Sequence, residues 1–186
     1  HYFWAKKVLE AGFHLIVDKP ITTNPGEVKK LINLAKKKKL MVTEATFFNY
    51  HKQFSYIKRF CGKIENINQI YANFTIPMPK NSSLLLSKKF KGGAKMDMGP
   101  YAAAISRIFF HENFKKKLIL VKKNNYGLVT SFDIFLKYKT KVFVGIFRFG
   151  NDYKNNLLIN LTDKSIEVNR VFSPPDDIKL EIKLNK

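Results

Sequence analysis

The chain has 186 residues, 45% hydrophobic and 14% aromatic, which is enough for a sizeable core and too apolar for a disordered polypeptide. Its single cysteine, Cys61, excludes an internal disulfide or a cysteine metal cluster and points to a reducing, cytoplasmic setting, and no apolar run approaches the ~20 residues that span a bilayer. The formal net charge of +20 fits either a polyanionic partner or compositional drift; drift is favoured because the charge is mostly lysine, in runs such as Lys36 to Lys39 and Lys115 to Lys117, rather than the arginine of nucleic-acid readers.

Trp4, Ala5, Val8, Leu9 and Ala11 lie at helical spacing, and Gly12 supplies a stop. Phe13 to Val17 is a short apolar run of the kind buried on both faces in a parallel sheet. Asn24-Pro25-Gly26-Glu27 is a helix start, with Asn as cap, Pro in the first turn and Glu at the capping-box position. That helix shows one apolar face, Val28, Leu31, Ile32 and Ala35, and Leu40 to Ala45 reads as the next strand. Helix, strand, helix, strand is the rhythm of a doubly wound α/β sheet. The sequence opens within a helix, without Met, and contains no G-x-G-x-x-G, so the expectation is a truncated nucleotide-binding half.

The pattern then changes. Tyr50, Phe54, Ile57 and Cys61 form a helix face, and Ile67 to Ile76 reads as a strand. A polar, proline-bearing loop runs to Gly92-Gly93, and a helix is expected from about Pro100 to Phe110, with Gly99-Pro100 marking its start. Alternating segments follow at Lys117–Lys123, Val129–Tyr138, Val142–Phe149, Leu157–Leu161 and Ser165–Val171, and one more strand is expected after Pro174-Pro175-Asp176-Asp177. The expected fold class is therefore α/β followed by α+β: the carboxyl-terminal part of a Rossmann-type doubly wound sheet, residues 1–47, and a domain with a large, mainly antiparallel open sheet, residues 48–186.

Asp18-Lys19-Pro20 closes the first strand, where ligands bind in open α/β sheets. A lysine there can hold a substrate hydroxyl and stabilise an alkoxide, and Asp18 can bind a ribose hydroxyl pair. The triplet equally fits an ordinary charged loop. Asp97 and Tyr101 are spaced i, i+4 and share a face if the helix begins near Asp97. A carboxylate at that end is favoured by the helix dipole, and a tyrosine can move a proton when a cation lies close by. The plainer reading is that Asp97 caps and Tyr101 packs. His1, His14, His51 and His111 have no metal-ligand spacing, so no metal is expected, and Cys61 reads as core.

The stretch Ala11-Gly12-Phe13-His14-Leu15-Ile16-Val17-Asp18-Lys19-Pro20-Ile21 resembles the "AGKHVLxEKPL" segment of the glucose–fructose oxidoreductase/inositol dehydrogenase (Gfo/Idh/MocA) family. Phe48 to Phe54 resembles the segment that follows its nucleotide-binding domain, and Gly92 to Tyr101 resembles its "GGGxLxDxGxH/Y" segment. The resemblance implies an NAD- or NADP-dependent dehydrogenase acting on a sugar, nucleotide sugar or related polyol. It makes Lys19 the catalytic lysine, Tyr101 the acid/base and Asp97 the residue that positions substrate. Asp18, Lys19 and Pro20 would meet the cofactor, with Asp18 where the family usually has Glu. It also implies a substrate-binding and dimerisation role for the second domain, hence a homo-oligomer with no membrane or specific nucleic-acid partner. The rivals are a non-catalytic remnant serving as a dimerising module and a basic nucleic-acid binder.

Overall fold

The computed structural model describes residues 1–110, 112–175 and 181–185, in two compact units that meet in sequence between Thr46 and Phe47. His111, Asp176 and Asp177 lie outside the described residues.

The first unit runs α1 (Tyr2–Glu10), β1 (Leu15–Asp18), α2 (Pro25–Lys37) and β2 (Val42–Ala45). β1 and β2 pair in parallel, Val17 opposite Glu44. Asn24 caps α2 as its residue type predicts: its side-chain oxygen accepts the Gly26 N–H at 2.8 Å, with Pro25 in the first turn. Ala5 and Leu9 of α1, Val17 of β1, and Leu31 and Ala35 of α2 make one core. The expectation that β1 is buried on both faces is corrected. Val17 is buried, but Ile16 on the opposite face is 70% exposed, because both helices contribute to the core on the Val17 side.

The second unit begins with a 3-10 turn (Phe47–Tyr50) and α3 (Gln53–Cys61), then β3 (Ile67–Ile76), a 3-10 turn (Leu84–Leu86) and α4 (Ala94–Phe109). β4 (Lys116–Lys123), β5 (Val129–Lys137), β6 (Val142–Phe149), β7 (Lys154–Leu161), β8 (Ser165–Asn169) and β9 (Ile182–Asn185) complete it. The strands form one seven-stranded sheet in the order β4-β5-β6-β3-β7-β8-β9. All pairs are antiparallel except the central one, where β3 runs parallel to β6.

Alternation along the strands sorts the two faces. Ile70, Ala72 and Phe74 of β3, Phe143 and Phe147 of β6, and Leu157 and Ile159 of β7 point inward and are buried with Ile57 and Cys61 of α3 and Met98, Ile105 and Phe109 of α4. Burial raises the Cys61 thiol from 9.0 to about 11, against a weaker lowering by Lys164. The outer face of the sheet is only partly covered. Val144 and Ile146 are half-buried there, Phe135 is exposed, and every residue of β4 is exposed. Among the described residues no helix is long and apolar enough to cross a membrane.

Candidate functional site

In the first unit Asp18, Lys19 and Pro20 leave the carboxyl end of β1, as the strand pattern predicts. The Asp18 carboxylate turns back to accept the Lys19 N–H at 2.8 Å. Asp18 is exposed, Lys19 and Pro20 are half-buried, and the Lys19–Pro20 peptide is cis. The turn is fixed from the neighbouring strand: Glu44 of β2 accepts the Ile21 N–H at 2.8 Å. Glu44 lies opposite Val17 in the parallel register, so its side chain reaches across the strand end. No motif in the sequence singles it out; only the pairing of β1 with β2 reveals it.

In the second unit Asp97 and Tyr101 sit at the start of α4, one turn apart and both half-buried. The expected helix start at Gly99-Pro100 is corrected. α4 begins at Ala94, and Pro100 lies inside it. The cause is the glycine pair. A Cβ on Gly92 would stand 2.4 Å from the Leu85 carbonyl oxygen, and one on Gly93 would stand 2.8 Å from that of Val129. Gly93 also has φ of +107°, a conformation that other residues rarely adopt. With both glycines in place, Gly93 donates its N–H to Leu85 at 2.7 Å and accepts the Asp97 N–H at 3.1 Å, so the helix is nucleated before the proline. Pro100 lacks an N–H and therefore cannot bond the carbonyl of Met96.

The ring of Tyr101 is held by three phenylalanines from distant parts of the chain. Its centroid lies 5.3 Å from Phe48, 5.3 Å from Phe74 and 5.5 Å from Phe172, two of these in edge-on geometry. Phe172 is set by Asn155 of β7. The Asn155 side chain accepts the Phe172 N–H at 2.9 Å and donates to Ser173 Oγ at 2.8 Å and Tyr153 Oη at 3.0 Å. Asn155 is 5% exposed, so this hydrogen bonding is its compensation for burial. The sequence marks Phe48 within a family-like segment but assigns nothing to Phe74, Phe172 or Asn155; nothing local in a sequence marks a cage assembled from three segments.

The remaining candidates have structural tasks. His14 Nδ1 accepts the Met41 N–H at 2.9 Å and His51 Nδ1 accepts the Gln53 N–H at 3.3 Å. Cys61 is buried in the core of the second unit. Asp133 and Arg148, on facing strands, form a two-pronged ion pair that keeps the guanidinium protonated beyond its ordinary range.

Residues 1–46 match a family model described as an oxidoreductase family with an NAD-binding Rossmann fold. The dTDP-3,4-didehydro-2,6-dideoxy-alpha-D-glucose 3-reductase of Actinomadura kijaniata is 26% identical over 94% of this chain and 54% of its own length. The protein of that name from Saccharopolyspora spinosa is 31% identical over 59% of this chain and 33% of its own. Among solved structures, the 3-ketoreductase KijD10 of Actinomadura kijaniata, in complex with NADP and TDP-benzene, superposes with a TM-score of 0.91 at 22% identity, covering 100% of this chain and 58% of that one. The chain thus spans little more than half the length of the full-coverage relatives, and the structural likeness extends over both of its units.

Proposed function

We propose, on the premise that this chain belongs to the Gfo/Idh/MocA family of oxidoreductases, that it serves the NAD(P)-dependent interconversion of a hydroxyl and a keto group on a sugar, most specifically a nucleotide sugar. The observation that carries the reading is the Asp97–Tyr101 pair on one face of α4, with the Tyr101 ring held by Phe48, Phe74 and Phe172. The two bacterial relatives support the substrate class, because both are 3-reductases of a dTDP-linked keto sugar.

The residues at the end of β1 fit a nicotinamide cofactor. They lie beyond the carboxyl end of a parallel strand, in a turn that Glu44 fixes. Asp18, Lys19 and Pro20 are the residues that would hold it. When bound, the nicotinamide supplies or accepts the hydride. Lys19 donates a hydrogen bond to the reacting oxygen and offsets the negative charge that develops on it. Tyr101 gives that oxygen its proton in reduction and takes it back in oxidation. Asp97 accepts a hydrogen bond from a substrate hydroxyl and aligns the carbon.

The test is NADPH oxidation with a dTDP-linked 3-keto sugar, by this chain joined to a pyrophosphate-binding Rossmann half. Tyr101→Phe should lower turnover by about 10²–10⁴, the range for a lost general acid–base group. Lys19→Ala should lower turnover more than cofactor affinity, and the double variant should be no worse than the poorer single if the two residues share one proton-transfer task. A double loss equal to the product of the single losses, or wild-type turnover no greater than that of Tyr101→Phe, overturns the assignment.

Self-association belongs to the same reading. On the outer face of the sheet Leu118 is 56% exposed, Leu120 57% and Phe135 40%. β5 and β4 pair these side chains as neighbours, Leu118 opposite Phe135. Contiguous apolar surface of this kind marks an association site, and a second copy is the occupant proposed here. Sedimentation showing a well-folded monomer at tens of micromolar, roughly where weak apolar interfaces form, would count against it.

A further inference from the structure

A cavity of about 600 Å3 opens in the second unit between the β4–β5 turn and the carboxyl end of β6. It is large enough for a small organic ligand, for which pockets run from about 300 to 1,000 Å3. Its lining includes Lys122, Lys123, Tyr126, Ser131, Arg148 and Asn151, and none of the lining residues is acidic.

Three features show how the fold concentrates charge there. Side chains alternate along a strand, so Lys122 and Lys123 should point to opposite faces. The register between β4 and β5 shifts between these two residues, and both line the same cavity. Lys122 pairs with Ser131 and Lys123 with Val129, so the extra residue is Thr130 of β5, and such a bulge bends and twists the strand pair locally. The turn that follows is braced: Asn124 Oδ1 accepts the N–H groups of Tyr126 and Leu128, each at 3.0 Å. That turn presents the Tyr126 ring at 75% exposure beside the lysines. Arg148 is oriented by its ion pair with Asp133 through Nε and Nη2, which leaves the Nη1 edge outside the pair. One carboxylate against three cations leaves two positive charges at the cavity.

We propose that this cavity binds a nucleoside diphosphate. Lys122, Lys123 and Arg148 hold the diphosphate, and the base lies against the Tyr126 ring. The lysines act as mobile point charges and Arg148 as a fixed fork, which suits a flexible phosphate chain. Every lining residue belongs to the second unit, and neither Asp97 nor Tyr101 is among them, so binding here does not depend on hydride transfer at α4.

The experiment is titration calorimetry at about 150 mM salt, where exposed charges more than ~8 Å apart are screened. The probes are thymidine 5′-diphosphate and inorganic pyrophosphate. Wild type should bind the nucleotide more tightly than pyrophosphate. Lys122→Glu/Lys123→Glu should weaken both probes by at least about tenfold, equivalent to about 1.4 kcal/mol. Lys36→Glu/Lys37→Glu makes the same charge change on the exposed end of α2 and should leave binding unchanged. Tyr126→Ala should weaken the nucleotide and leave pyrophosphate alone. Equal losses in the two lysine pairs would reduce the effect to general attraction by a +20 chain and overturn the proposal. Absence of nucleotide binding by wild type, or an unchanged nucleotide affinity in Tyr126→Ala, would overturn it as well.

Discussion

Asn155→Ala should loosen the cage around Tyr101 and destabilise the second unit by about 2–4 kcal/mol. The substitution removes three hydrogen bonds from a side chain 5% exposed: the acceptor for Phe172 N–H and the donors to Ser173 and Tyr153. Stranding a buried backbone N–H costs about 1–3 kcal/mol, and each neutral bond to a more exposed hydroxyl adds roughly 0.5 kcal/mol. The internal control is the adjacent residue. Asn156 faces the other side of β7, and its buried Oδ1 has no hydrogen-bond partner, so Asn156→Ala should cost less than about 1 kcal/mol. Urea denaturation followed by far-UV circular dichroism measures both, because the large sheet belongs to the second unit. The single tryptophan, Trp4, reports the first unit separately. With m of about 2 kcal/mol/M, the expected shift in midpoint is roughly 1–2 M for Asn155→Ala. Equal shifts for the two asparagines, or a shift in the Trp4 transition of the same size, would refute the reasoning.

Gly93→Ala should destabilise the protein by at least about 2 kcal/mol, because it combines a disfavoured φ with a Cβ 2.8 Å from the Val129 carbonyl, whereas Gly99→Ala has no neighbour within 4 Å and should stabilise α4 by roughly 0.5–1 kcal/mol. The same denaturation assay compares them, and a harmless Gly93→Ala would contradict the account of how α4 starts. The Cys61 thiol titrates near 9.0 when unfolded and at about 11 in the core, so its contribution is intact below pH 9 and is lost as pH rises through about 11. The difference between those two values corresponds to about 3 kcal/mol. Cys61→Ala should therefore flatten the fall in stability across that pH range, and an unchanged slope would exclude the thiol as its source. Asp97→Asn should raise KM for a sugar substrate more than it lowers kcat; the opposite split would move Asp97 from alignment to proton transfer.

The residues that carry local signals are legible from the sequence. Asn24-Pro25 states a helix start because an Asn side chain can satisfy an amide two residues on, whatever the rest of the chain does. Phe13 to Val17 followed by Asp18-Lys19-Pro20 places a lysine at a strand end, and the i, i+4 spacing of Asp97 and Tyr101 puts them on one face of any helix that contains both. Alternation marks the inward residues of β3 and β6 and the broad α/β-then-sheet order. Periodicity states which residues share a face but carries no information about which strand lies beside it. The parallel contact of β3 with β6 in an otherwise antiparallel sheet is such a case. So is the start of α4 at Ala94, decided by the close approach of Gly92 and Gly93 to Leu85 and Val129 and not by Pro100. The phenylalanine cage and the Glu44 brace are likewise products of long-range packing: each joins groups distant in sequence, whose contact energy exists only once the strands have set their register.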